Sequence, residues 1–198
     1  MFWYEDDIKH LEARIQQMPH KDGTIFYGSS TIRMWESVYT DLPELAPANL
    51  GFGGSTLAAC VWFFNRLMKD FNPKRLVVYA GDNDLGDGRH AEEVFIFFQQ
   101  LAIVAKERFG DLPCYYISLK PSISRWNLVD NFKYANQLIS TEIAGKLSNW
   151  QYIDVFTAML GSDGKPKKEL FLEDGLHLDK EGYSLWKTIV AEKIHGNS

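Results

Sequence analysis

Five short apolar runs, each set off from the next by a longer stretch with helical spacing, constrain this chain more than any other feature. The runs are Thr24 to Tyr27, roughly Ala48 to Gly51, Arg75 to Ala80, Cys114 to Leu119 and Tyr152 to Val155. Each is continuous rather than alternating, the pattern of a strand covered on both faces in a parallel sheet. The stretches around them carry a stripe at Ile8, Leu11 and Ile15, then Leu57, Val61, Phe64, Leu67 and Met68 within Thr56 to Phe71. Ala91 to Phe109, Leu128 to Leu147 and Lys180 to Ile194 complete the long helices. Such alternation predicts an α/β fold of three layers, α/β/α, around a five-stranded, mainly parallel sheet. A length of 198 residues suits one domain over 1–198, with an N-terminal helix in residues 1–22 ahead of the first strand.

Charge narrows the partners. A formal charge of -5 supplies no positive field for a phosphate backbone or an anionic membrane, so a small or neutral substrate is expected and nucleic acid is not. The start, Met-Phe-Trp-Tyr-Glu-Asp-Asp, is acidic where a secretory leader is basic, and no run approaches the roughly 18 apolar residues of a spanning helix. A cytoplasmic protein is the expectation. Cys60 and Cys114 sit in apolar surroundings without Cys-x-x-Cys spacing and read as buried free thiols.

In an open parallel sheet, ligands bind beyond the carboxyl ends of the strands, so the segments after each strand are the ones to search. After the first comes Gly28-Ser29-Ser30, a tight turn with a serine opening the next helix. A serine there serves either as a helix cap or as an exposed hydroxyl near helix-end dipoles, where an attacking oxygen benefits. After the second comes Asn49-Leu50-Gly51-Phe52-Gly53-Gly54, whose glycines let backbone N–H groups approach a negative ligand; the spacing fits neither a dinucleotide fingerprint nor a P-loop. After the third, Gly81-Asp82-Asn83-Asp84-Leu85-Gly86-Asp87-Gly88 superficially suggests calcium, but Asp87 stands where an EF-hand requires glycine and a strand precedes the loop. The segment reads instead as an Asx-rich turn, or as a place from which the Asn83 amide donates into a shared pocket. Near the end, Asp174-Gly175-Leu176-His177 puts a carboxylate three residues before an imidazole, a spacing that lets the carboxylate hold one ring nitrogen while the other takes a proton.

These four segments, in this order from Phe26 onward, resemble the four blocks of the SGNH (GDSL-type) hydrolase superfamily, and most of all the platelet-activating-factor acetylhydrolase-like bacterial esterases, whose second block similarly reads Asn-x-Gly-x-Gly-Gly. Lys120-Pro121-Ser122 through Ser124-Arg125-Trp126 also resembles a segment of bacterial members. The resemblance implies a flavodoxin-like strand order 2-1-3-4-5 and a serine esterase. Ser30 falls on the nucleophile, Gly28 on the glycine of Gly-Asp-Ser, and Asp174 with His177 on the acid and base. Gly54, Asn83 and the Ser30 backbone fall on the oxyanion hole. The family's aspartate before the nucleophile is Ser29 here, which leaves two adjacent serines as candidates. No Gly-x-Ser-x-Gly elbow occurs, which separates the chain from the α/β-hydrolases.

The expected activity is hydrolysis of carboxylic esters with short acyl groups such as acetyl, needing neither a metal nor an organic cofactor. Two rivals stay open: a catalytically silent α/β ligand-binding module, and an acyltransferase or thioesterase using the same triad. Trp126, in the loop after the fourth strand, is the candidate substrate contact, whereas Trp35 and Trp62 read as packing residues. His10, His20, His90 and His195 read as surface residues. Related esterases pair, so a homodimer is an open expectation.

Overall fold

The computed structural model describes residues 1–196. Its strands are β1 (Thr24–Gly28), β2 (Pro47–Gly51), β3 (Arg75–Tyr79), β4 (Cys114–Ile117) and β5 (Trp150–Ile153). Its α-helices are α1 (Glu5–Gln17), α2 (Ser30–Arg33), α3 (Val38–Asp41), α4 (Leu57–Met68), α5 (Asp82–Gly86), α6 (Ala91–Phe109), α7 (Val129–Lys146) and α8 (Lys180–His195). The strands pair in parallel in the order β2-β1-β3-β4-β5, the flavodoxin-like order that the resemblance implies.

Successive strand residues face opposite sides of the sheet, and both sides are covered. Ile25, Tyr27, Leu76, Val78, Cys114 and Tyr116 join the core shared with α1, α4, α6 and α7. Phe26, Val77, Tyr79, Tyr115 and Ile117 join a second core with α2, α3 and α8. The apolar runs are continuous because neither set meets water. Sharp local signals start the long helices: the Thr56 hydroxyl accepts from the Ala59 N–H at α4, and the Asp179 carboxylate from the Gly182 N–H at α8. At α6, the Glu93 carboxylate reaches back to accept from the His90 N–H.

Two readings need correction. The fifth strand is Trp150–Ile153, two residues earlier than its apolar pattern suggests, with Trp150 opposite Cys114. It lies at the sheet edge, where Gln151 and Tyr152 are only half-buried, so a polar residue interrupts the run without interrupting the ladder. Trp62 is 69% exposed rather than packed, while Trp35 is fully buried against Phe26, Tyr183 and Trp186. Cys60 and Cys114 are buried and unpaired, and His10, His20, His90 and His195 are exposed. Among the described residues no helix is long and apolar enough to cross a membrane.

The chain leaves β1 toward β2 on one side and β3 continues on the other, so a crevice opens where the strand order reverses. Gly28 makes that point tight. A Cβ there would lie 1.8 Å from the Tyr79 carbonyl oxygen, and its φ of +142° is one that other residues rarely adopt. The close approach lets the Ser29 N–H donate to that same oxygen at 2.9 Å.

Candidate active site

Ser29 is the N-cap of the four-residue helix α2, yet its hydroxyl makes no capping bond; it is buried and unpartnered. Ser30 opens the helix instead and turns its Oγ outward, 3.1 Å from His177 Nε2. Of the two adjacent serines, only Ser30 meets the imidazole. Its backbone N–H is the first of the helix, one of the donors that helix geometry leaves without an intrahelical acceptor.

Helix α2 is too short to hold itself in place, so its neighbours do so. The Asn49 amide, buried in β2, donates to the carbonyls of Ile32 and Trp35 at 2.6 and 3.2 Å, and its oxygen accepts from the Gly51 N–H. The Tyr183 hydroxyl of α8 donates to the Thr31 carbonyl at 2.9 Å. Gly51 packs so closely on α2 that a Cβ would sit 2.2 Å from the Arg33 nitrogen. Asn49 was visible in the second sequence block but had no assigned task; its hydrogen bonds supply one.

The imidazole is held from its other side. His177 Nδ1 lies 2.6 Å from Asp174 Oδ2, while Asp174 Oδ1 accepts from the backbone N–H groups of Leu176 and His177 at 2.8 and 2.9 Å. Partial burial alone would raise the Asp174 carboxyl, but those hydrogen bonds outweigh it and hold its pKa down at about 2. The turn is closed by the Leu172 N–H to the His177 carbonyl, and Gly175, at φ +63°, brings it against Ile123. Ile123 and Ser124 both donate their N–H groups to the Gly175 carbonyl.

Gly54 takes a left-handed φ of +63° in the loop after β2, and its carbonyl accepts from the Tyr4 hydroxyl at 3.0 Å. Asn83 lies in α5, nearly buried. Its Nδ2 donates to the Ser55 carbonyl at 3.1 Å, which leaves one further N–H, and its Oδ1 accepts from Arg125. Asp84, the next residue, accepts from the Leu57 N–H at the start of α4 and pairs with Arg89. Burial raises the Asp84 carboxyl, against the opposing pull of those two partners. Asp84 thus ties the Asn83 helix to the start of α4, and Asn83 itself ties it to the Gly54 loop through the Ser55 carbonyl.

Beneath α5 lies Lys120, 1% exposed, with its Nζ 3.5 Å from Asp82 and 3.4 Å from the Tyr79 hydroxyl. Burial pushes this ammonium below its ordinary pKa, and Asp82 opposes the shift. Trp126 is half-buried, and with Ile123 and residues 161–163 and 165–169 it lines a cleft of about 590 Å³. Neither Ser30 nor His177 lines that cleft, so Trp126 stands beside the Ser30–His177–Asp174 series, joined to it through Ile123 and the Gly175 turn.

A serine, an imidazole and a carboxylate in hydrogen-bonded series, at the carboxyl edge of a parallel sheet, agree with what the chain matches by family. The model of the GDSL-like lipase/acylhydrolase family covers residues 22–185. The chain belongs to the GDSL-like lipase/acylhydrolase family. It is accordingly a hydrolase of ester bonds. No curated protein sequence matches it. Among solved structures, this GDSL-like chain is similar to a protein from Streptococcus pneumonia designated a platelet activating factor, at 15% identity and TM-score 0.82, covering 96% of this chain and 94% of that one. A GDSL-like lipase from Bacteroides thetaiotaomicron shares 18% identity at TM-score 0.75 over 98% of both chains. A lipase/acylhydrolase from Enterococcus faecalis shares 20% identity at TM-score 0.72, over 89% of this chain and 96% of that one. At these identities the likeness is one of fold.

Proposed function

We propose that this protein hydrolyses carboxylic esters carrying short acyl groups, through an acyl-enzyme on Ser30. The observation that carries the reading is the series Ser30 Oγ, His177 Nε2, His177 Nδ1, Asp174 Oδ2, with separations of 3.1 and 2.6 Å at its two hydrogen bonds. In the first step Ser30 Oγ bonds to the acyl carbon as Nε2 takes its proton, and Asp174 stabilises the imidazolium that forms. The negative charge moves to the carbonyl oxygen, where the N–H groups of Ser30 and Gly54 and the free amide N–H of Asn83 receive it. Collapse breaks the bond to the alcohol, which leaves with the proton from His177. Water, deprotonated by the same nitrogen, then cleaves the acyl-enzyme and regenerates Ser30.

Short acyl groups are supported by the brevity of the connectors around Ser30 and Gly54: Ser29 alone joins β1 to α2, and residues 52–56 join β2 to α4. The cleft beside Trp126 is the proposed place for the remainder of the substrate, with the indole as its contact.

Steady-state hydrolysis of p-nitrophenyl esters from acetyl to decanoyl, run beside Ser30→Ala, tests the proposal. Turnover highest at acetyl or butyryl and at least about 10³-fold lower in the variant is the expected result. Full turnover in Ser30→Ala ends the reading, and a maximum at decanoyl ends its acyl-length part. A fluorophosphonate that fails to label Ser30 would favour a silent binding module.

A further inference from the structure

We propose that Arg125 is a positioning residue for the Asn83 side-chain amide, fixing which end of that amide faces the reacting carbonyl. This rests on the reading of Asn83 as an oxyanion donor. Arg125 comes from the loop after β4, far in sequence from α5, and its guanidinium spans the start of that helix. Nη1 donates to the Asp82 carbonyl at 2.9 Å and Nη2 to Asn83 Oδ1 at 3.1 Å. Nη1 also lies 3.7 Å from the Asp82 carboxylate, whose other cationic neighbour is the buried Lys120. The rigid fork of a guanidinium suits two acceptors on successive residues; a single ammonium does not.

Space for the fork is built into the helix. A Cβ on Gly86 would stand 2.7 to 2.8 Å from three atoms of the guanidinium, so any other residue there would push Arg125 away. Glycine is a poor helix former, yet it ends α5 here, where the arginine passes.

The consequence for Asn83 follows from donors and acceptors. Its amide has two orientations related by a half-turn. In the observed one, Nδ2 faces the Ser55 carbonyl and Oδ1 faces Arg125. In the reverse one, donor would face donor and acceptor would face acceptor, and both bonds would be lost. Arg125 and Ser55 therefore hold the NH2 group on the side where one N–H remains for the oxyanion. A cation on Oδ1 also draws electron density from the amide nitrogen and strengthens that donor.

The same loop reaches the base. Ile123 and Ser124 hold the Gly175 carbonyl within the Asp174–His177 turn, two and one residues before Arg125 holds Asn83. One short segment thus sets the imidazole turn and the oxyanion amide relative to each other.

The test is p-nitrophenyl acetate hydrolysis by wild type, Arg125→Ala, Arg125→Lys, Asn83→Ala and the Asn83→Ala/Arg125→Ala double variant, each checked for folding by circular dichroism. Arg125→Ala is expected to lower kcat about 10-fold to 100-fold, less than the loss of an entire donor, with KM within about threefold. Arg125→Lys should recover part of the loss. In the Asn83→Ala background, removing Arg125 should change kcat less than about twofold, because the group it positions is gone. Equal losses in both backgrounds would overturn the proposal, as would an effect confined to KM, which would make Arg125 a substrate contact. Should Arg125→Ala fail to fold, Arg125→Lys carries the same comparison. Full kcat in Asn83→Ala would instead refute the oxyanion reading itself, a result separate from either of the others.

Discussion

Replacing Gly28 with alanine probes the point where fold and site meet. The added Cβ would lie 1.8 Å from the Tyr79 carbonyl oxygen and 2.6 Å from its carbon. An ordinary C–H···O contact is about 3.3 Å, so β1 and β3 must part by roughly 1.5 Å at the register pair Gly28 and Tyr79. That stretches the Ser29 N–H bond to Tyr79 from 2.9 Å beyond hydrogen-bonding range, leaving buried polar groups unpaired at a cost of about 1–3 kcal/mol. The φ of +142° adds strain of about 1–3 kcal/mol for a residue with a side chain. Together the substitution should cost about 2–6 kcal/mol, roughly 5–20 °C in Tm for a chain of this length. Thermal unfolding by circular dichroism measures it, with p-nitrophenyl acetate turnover read on the folded fraction, since a shift of Ser29 carries Ser30 with it. Gly54→Ala is the control: its φ is +63° but nothing lies within 4 Å of the new Cβ, so only about 1–2 kcal/mol of left-handed strain is expected. A Gly28→Ala protein that melts within about 2 °C of wild type would refute the reasoning.

Asp174→Asn keeps an oxygen to accept from the Leu176 and His177 N–H groups but removes the charge beside Nδ1, so kcat should fall by about 10²-fold to 10⁴-fold with little change in the turn. Because the folded-state carboxyl is held near 2, below its ordinary 3.8, its stabilising contribution is complete above about pH 4 and disappears as pH falls toward 2. The Tm gap between wild type and Asp174→Asn should therefore close on acidification from pH 5 to 2; the half-exposed side chain keeps that gap small, and a constant gap would contradict the assignment. Burial pushes the Cys60 thiol well up and the Cys114 thiol up to about 12, so a thiol reagent at pH 8 should label neither in the native protein and both after denaturation. Rapid labelling of the native protein would contradict the packing around β4 and α4.

Much of the molecule was legible in the residues because local patterns carry it. Runs such as Leu76 to Tyr79 are apolar throughout because both faces of their strand are covered, and Thr56 or Asp179 mark helix starts through their own side chains. The four candidate segments were legible for a related reason: glycine, serine and asparagine do local work at strand ends, and the Asp-x-x-His turn closes on its own backbone just before α8. The edge strand at Trp150 was misplaced because its ladder is set by its partner β4, which a one-dimensional pattern does not contain. Trp62 was misread because one residue of an amphipathic helix is buried or exposed according to what its neighbours cover.

The sequence by itself determined the order of strands and helices along the chain, the α/β class, and which residue types stand at the carboxyl edge of the sheet. The likeness to the family pointed to Ser30, and the tertiary structure adds what no spacing shows: His177, 147 residues away, lies 3.1 Å from the Ser30 hydroxyl, while the Ser29 hydroxyl is buried and unpartnered. Tertiary structure alone brought Arg125 to Asn83, and Asn49 and Tyr183 to the short helix that carries Ser30. Hydrogen bonds between distant segments depend on three-dimensional distance and direction, and nothing in the spacing of residues along the chain encodes either one.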